Sequence, residues 1–167
     1  TVVRKGSNEE EIVQLIERFS DRDIAVRFIE YMDVGNTNGW SLEEVVTADE
    51  IRKKIGSLEF IESPKDSDVA KRYILPEGNE VGIITSVTEP FCGHCTRARV
   101  SADGKLFTCL FANRGIDLLS PMRDGYTDTE IETLIRQQWE SRQDRYSEIR
   151  SEETASRERV EMSYIGG

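Results

Sequence analysis

All the cysteines and the only histidine of this chain lie in one stretch, Phe91-Cys92-Gly93-His94-Cys95-Thr96-Arg97-Ala98-Arg99, running on to Cys109. The spacing is Cys-x2-Cys-x13-Cys. Two thiolates separated by two residues can grip one metal centre from a tight turn, and Gly93 supplies the permissive backbone such a turn favours. Cys109 returns after Gly104-Lys105, which reads as a hairpin turn, so all three sulfurs can converge. Three chemistries compete for them. An iron–sulfur cluster on three thiolates leaves one iron open to a further ligand. A structural zinc site needs four closed ligands, and His94, inside the Cys-x2-Cys turn, is badly placed to be the fourth. A redox pair with an unrelated buried Cys109 needs no metal at all. Arg97 and Arg99 are two apart, so on a strand they share a face. A pair of solvated arginines is the ordinary reading. Beside a metal centre, two permanent cations suit an anionic or hydrogen-bond-accepting ligand.

The elements that must position these residues change character along the chain. Thr1 to Arg4 reads as strand, stopped by Gly6. Asn8-Glu9-Glu10-Glu11 looks like a capping box, after which Ile12, Leu15, Ile16 and Phe19 share one helical face. Ile24 to Ile29 is a β-rich run. Strand, helix and strand in this order form a βαβ unit and imply a parallel sheet. Arg27 shares a strand face with Ala25 and Ile29. It either reaches an anionic ligand or pairs with Glu30 or Asp33. Gly35 to Gly39 is a loop, and Thr47-Ala48-Asp49-Glu50 is a capping box for a helix with Ile51 and Ile55 inward. Ile61 to Val69 reads as a loop. Tyr73–Leu75, Val81–Ile84, Arg97–Val100 and Leu106–Leu110 read as strands of a small antiparallel sheet that carries the metal centre, joined by turns at 76–79 and 102–105. Ile116 to Met122 is a short helix or an extended run. Thr127-Asp128-Thr129-Glu130 caps a long helix reaching towards Ile149, with Ile131, Leu134, Ile135 and Trp139 on one side. Residues 151–159 are charged and read as a mobile, helix-permissive segment.

Composition bounds the function. The chain has 167 residues, enough for a proper core. Its formal net charge of −10 argues against a nucleic-acid partner. Three cysteines do not make a disulfide framework and suit a reducing, cytoplasmic setting. No apolar run approaches a membrane span, and no signal-peptide pattern opens the chain. The opening residues read like a strand cut in mid-element, so the chain is expected to be a piece of something longer.

The stretch from Phe91 to Leu106, followed by Cys109-Leu-Phe, resembles the carboxy-terminal half of the GTP 3′,8-cyclases. These are the radical S-adenosylmethionine enzymes that open molybdenum-cofactor biosynthesis. Arg27-Phe-Ile-Glu-Tyr-Met-Asp-Val-Gly-Asn, Val81-Gly-Ile-Ile-Thr-Ser and the terminal Tyr164-Ile-Gly-Gly are similar to the same family, so the resemblance covers essentially the whole chain. It implies an α/β fold: the last βα units of an incomplete TIM-type barrel over residues 1–40, then an α+β cluster-binding domain over 41–167. That second part would hold a small antiparallel sheet, carboxy-terminal helices and a Gly-Gly tail.

The family uses two 4Fe–4S clusters. One, in the amino-terminal half on a Cys-x3-Cys-x2-Cys motif, splits S-adenosylmethionine to a radical that takes hydrogen from C3′ of GTP. The resulting carbon radical closes onto C8 of guanine, giving (8S)-3′,8-cyclo-7,8-dihydroguanosine 5′-triphosphate. These residues contain no such motif, so the chain alone is expected not to turn over. The resemblance gives the second cluster, which anchors GTP, to Cys92, Cys95 and Cys109. It gives GTP contacts to Arg97, Ala98 and Arg99, and an S-adenosylmethionine contact to Met32. Arg27 is a further substrate candidate, and Gly166 and Gly167 form a tail entering the active site. His94 and Thr96 receive no role, and no general acid or base is assigned. The implied partners are GTP and an amino-terminal radical half; dimerisation is common in the family. The rival readings are a zinc-binding interaction module without catalysis and a redox-sensing thiol domain.

Overall fold

The computed structural model describes residues 1–63, 68–155 and 158–165. By compactness they form two units, one of Thr1–Met32 with Trp40–Cys95, the other of Asp33–Gly39 with residues 96 onward. This division differs from the expected one at residue 40, because strands from both sides of that point pair in one sheet.

The first unit is built on a five-stranded sheet in the order β1-β2-β5-β4-β3. β1 (Val2–Val3), β2 (Val26–Glu30) and β5 (Glu80–Ile84) run parallel, while β4 (Ala70–Ile74) and β3 (Glu59–Ile61) are antiparallel additions. The expected βαβ start is present, with α1 (Ile12–Phe19) between β1 and β2. The capping box expected at Asn8 is absent. Asn8 instead accepts from the Arg4 amide and donates to the Val2 carbonyl, and a 3-10 turn over Glu9–Glu11 leads into α1. The expected placement of β4 and β5 in a small separate sheet is also corrected. β5 buries Val81, Gly82 and Ile83, as suits a strand with neighbours on both sides, and it sits between β2 and β4. One sheet face carries Val26, Phe28, Val81 and Ile83 against Ile12 of α1 and Ile51 of α2 (Ala48–Ile55). Burial of side chains this size contributes about 1.5–3 kcal/mol each. α2 starts at the predicted capping box: Thr47 and Glu50 bond reciprocally.

The second unit holds a three-stranded antiparallel sheet, β6 (Arg99–Val100), β7 (Lys105–Phe107) and β8 (Ile116–Asp117). The β6–β7 hairpin turns at Gly104 with φ +77°, where a Cβ would also lie 2.6 Å from that of Leu119. The ambiguous 116–122 run is both things in succession, β8 and then α3 (Leu119–Arg123). α4 (Asp128–Glu140) begins at the predicted Thr127–Glu130 box. It ends well short of Ile149. Beyond it Arg142 lies over the Trp139 ring, Asp144 accepts from Thr108 (2.5 Å), and Tyr146 binds Asp33 (2.5 Å), so tertiary partners draw the chain off the helix axis. The segment read as mobile contains a short helix, α5 (Glu152–Ala155), and Arg159 is buried.

Candidate metal centre and ligand residues

Cys92 opens a single 3-10 turn, Cys92–His94, and Cys95 closes it in extended conformation, its amide donating to the Cys92 carbonyl (3.2 Å). Both thiols are half-buried. Gly93 is not in the left-handed region, and a Cβ there would meet nothing, so the turn does not depend on glycine as the spacing suggested. The His94 side chain is exposed.

Arg97 and Ala98 precede β6 rather than lying in it, so the two arginines do not share a regular strand face as expected. Both Arg97 and Arg99 are half-buried, and Arg99 pairs with Phe107 across the hairpin. Cys109 follows β7 in a turn, half-buried, and accepts a bond from the Phe111 amide to its Sγ (3.4 Å). Among the described residues no group of three or more His, Cys, Asp or Glu is gathered to hold a metal ion. Cys92 and Cys95 close the first unit, whereas Cys109 belongs to the second. The donor set itself suits a soft centre. It comprises three half-buried thiols outside disulfides, one of them receiving an amide hydrogen bond of the kind that tunes cluster sulfur.

Met32 follows β2 at its carboxyl end and is half-buried. Arg27 lies on the open face of the sheet. Its aliphatic stem crosses Gly82, where a Cβ would come within 2.9 Å of its Cγ. It lines a cavity of about 210 Å³ with Asp68, Ala70, Arg72 and Ile84. Neither suggested carboxylate pairs with it: Glu30 points to the opposite face, and Asp33 binds Arg150 and Arg159. Gly166 and Gly167 lie outside the described residues. The tail before them is held. Ile165 is buried, the Tyr164 hydroxyl donates to Asp103 (2.5 Å), and its ring meets Phe107 edge-on.

Two polar clusters were missed in the sequence. Glu30, fully buried, accepts from the amides of Ala48, Val87 and Thr88 and from the Thr88 hydroxyl. In the second unit Asp33 binds Arg150, Arg159 and Tyr146, with Phe111 stacked on Tyr146 at 4.6 Å. The Asn36 side-chain amide donates to the Arg159 carbonyl and accepts from the Arg159 amide, fixing the segment before the tail. Burial and Asp33 raise the Tyr146 hydroxyl pKa to about 12. A glutamate at a strand end beside an alternating buried face was the one readable signal for the first cluster; the second gave none.

Fold and thiols together define a mixed α/β protein with a three-cysteine donor set. A family model described as Molybdenum Cofactor Synthesis C matches residues 24–148. The chain belongs to that family. It is 42% identical over 174 residues to the GTP 3′,8-cyclase of Staphylococcus carnosus, covering 99% of this chain and 51% of that protein. To the GTP 3′,8-cyclase of Xanthomonas campestris pv. campestris it is 44% identical over 170 residues, covering 99% and 50%. The chain thus spans about half the length of the curated relatives it matches, their carboxy-terminal half.

Proposed function

We propose that the chain is the carboxy-terminal part of a GTP 3′,8-cyclase, holding GTP for conversion to the 3′,8-cyclo nucleotide. The observation that carries this reading is the similarity to proteins of that name through 99% of the chain. The parallel strands β1 and β2 with α1 between them support a place at the end of an incomplete barrel in the longer protein. The cluster- and GTP-binding residues would then lie within 41–167. Cys92, Cys95 and Cys109 would hold a second 4Fe–4S cluster, which when bound supplies an open iron for the guanine base. Arg97 and Arg99 present guanidinium donors suited to purine N7 and O6 and to phosphate oxygens, with the Ala98 backbone between them. Their work is orientation: C3′ must sit close to the radical carbon, and small misplacements are costly. Met32 touches S-adenosylmethionine at the strand end, and Arg27 serves as a further anion contact. Radical formation belongs to an amino-terminal half with its own cluster. No helix among the described residues is long and apolar enough to cross a membrane. By the same family reading the enzyme is cytoplasmic, with GTP and the amino-terminal half as its partners.

Anaerobic reconstitution tests the site. Iron and sulfide should bind with the absorbance of a 4Fe–4S cluster, and Cys109→Ala should lose the intact cluster. One equivalent of zinc without visible absorbance, and no iron, would establish the interaction module instead. A reversible Cys92–Cys95 disulfide with no metal would establish the redox reading.

A further inference from the structure

The Glu30 carboxylate is wholly shielded from water, a costly place for an anion without compensation. Its compensation is four donors and, among the described residues, no cation. Oε1 takes the Ala48 amide (2.8 Å), the first residue of α2, and the Thr88 hydroxyl (2.5 Å). Oε2 takes the Val87 (2.7 Å) and Thr88 (2.9 Å) amides. The helix start adds its own favourable field. The two amides and the hydroxyl belong to the segment between β5 and the cysteine turn. That segment is braced again where the Thr85 hydroxyl donates to the Glu89 carbonyl (2.8 Å). Only Glu89, Pro90 and Phe91 separate Thr88 from Cys92, and Pro90 restricts the backbone further.

We propose that Glu30 is a positioning residue for the Cys92–Cys95 turn. It ties the approach to that turn to the end of β2, and so fixes where two of the three thiols are offered. The bond to Thr88 is the part of this tie that can be removed while leaving the helix start and both amides in place. This inference rests on the reading of Cys92 and Cys95 as ligands, but the tie can be measured without metal.

The test is thiol alkylation of the metal-free chain, followed residue by residue by mass spectrometry, with Cys109 as internal control. Thr88→Val should raise the rates at Cys92 and Cys95 about tenfold, the scale of losing a hydrogen bond to a charged acceptor. Cys109 should be unchanged and Thr88→Ser should restore the native rates. Glu30→Gln, which turns an amide NH2 against N–H donors, should have the larger effect; if it fails to fold, the Thr88 pair still decides. Unchanged rates at Cys92 and Cys95, or an equal rise at all three thiols, would overturn the proposal. After reconstitution and one-electron reduction with dithionite, Thr88→Val should alter the cluster's paramagnetic resonance spectrum and Thr88→Ser should not. Failure of the wild-type chain to take up iron would sink the cluster reading alone and leave the alkylation result standing.

Discussion

Asp33 accepts from Arg150 (2.8 Å), Tyr146 (2.5 Å) and Arg159 (3.0 Å), and all three charged side chains are at most 4% exposed. A buried ion cluster of this kind adds little net stability when complete, but losing one member strands the others. The arginines also lie over the Phe111 and Tyr146 rings, so their loss would loosen packing two residues from Cys109. Tyr146 gives the cluster a pH signature. Its hydroxyl titrates near 10 when unfolded and at about 12 in place, held protonated first by burial and then by its bond to Asp33. The stabilisation is therefore complete below pH 10 and is lost as pH rises towards 12. Denaturant titrations of wild type should show stability falling through that window, and Tyr146→Phe should flatten the fall. At the other end of the scale, Lys105, Asp103 and Tyr164 bond mutually at the surface. There Lys105 and then Ser101 and Tyr164 hold the Asp103 carboxyl below its usual range, so tail anchoring persists into acid.

Two helices begin with the same four-residue device and end in different circumstances. α2 has the Thr47–Glu50 box and buries Ala48 and Ile51 in the core; α4 has the Thr127–Glu130 box and buries no residue completely. Each threonine hydroxyl accepts a bond from the third amide of its helix, a cap worth about 1 kcal/mol. Thr47→Ala should lower the global unfolding midpoint, because α2 is part of the core. Thr127→Ala should act locally, raising amide exchange in the first turns of α4 with little change in the global transition. An equal global effect of both substitutions would contradict this division. The boxes themselves were plain in the sequence, since all their atoms lie within four residues. The end of α4 was not, since Thr108 and Asp33, far along the chain, hold the Asp144 and Tyr146 that follow it.

At the scale of the whole molecule, the chain passes between its compact units at 32/33, 39/40 and 95/96, the last immediately after Cys95. The Cys-x2-Cys turn and Cys109 therefore come from different units, and the proposed catalytic chemistry requires a further half that these residues do not contain. With reductant, S-adenosylmethionine and GTP, the 167-residue chain alone should form no cyclised nucleotide. Adding the amino-terminal half of a relative such as the S. carnosus enzyme should allow it. Product from the chain alone, read by mass spectrometry, would refute the assignment of radical formation to the other half.

The amino-acid order alone determined what depends on near neighbours: the thiol spacing, the two capping boxes, the Gly104 turn, the βαβ opening and the family. Each of these rests on atoms a few residues apart or on a motif that can be matched as a string. Tertiary structure decided that β5 joins β2, that Glu30 holds the approach to Cys92, and that Arg159 is buried against Asp33 instead of solvated. Such contacts pair residues scores of positions apart, and which partner a buried charge finds is settled by packing, which no local pattern encodes.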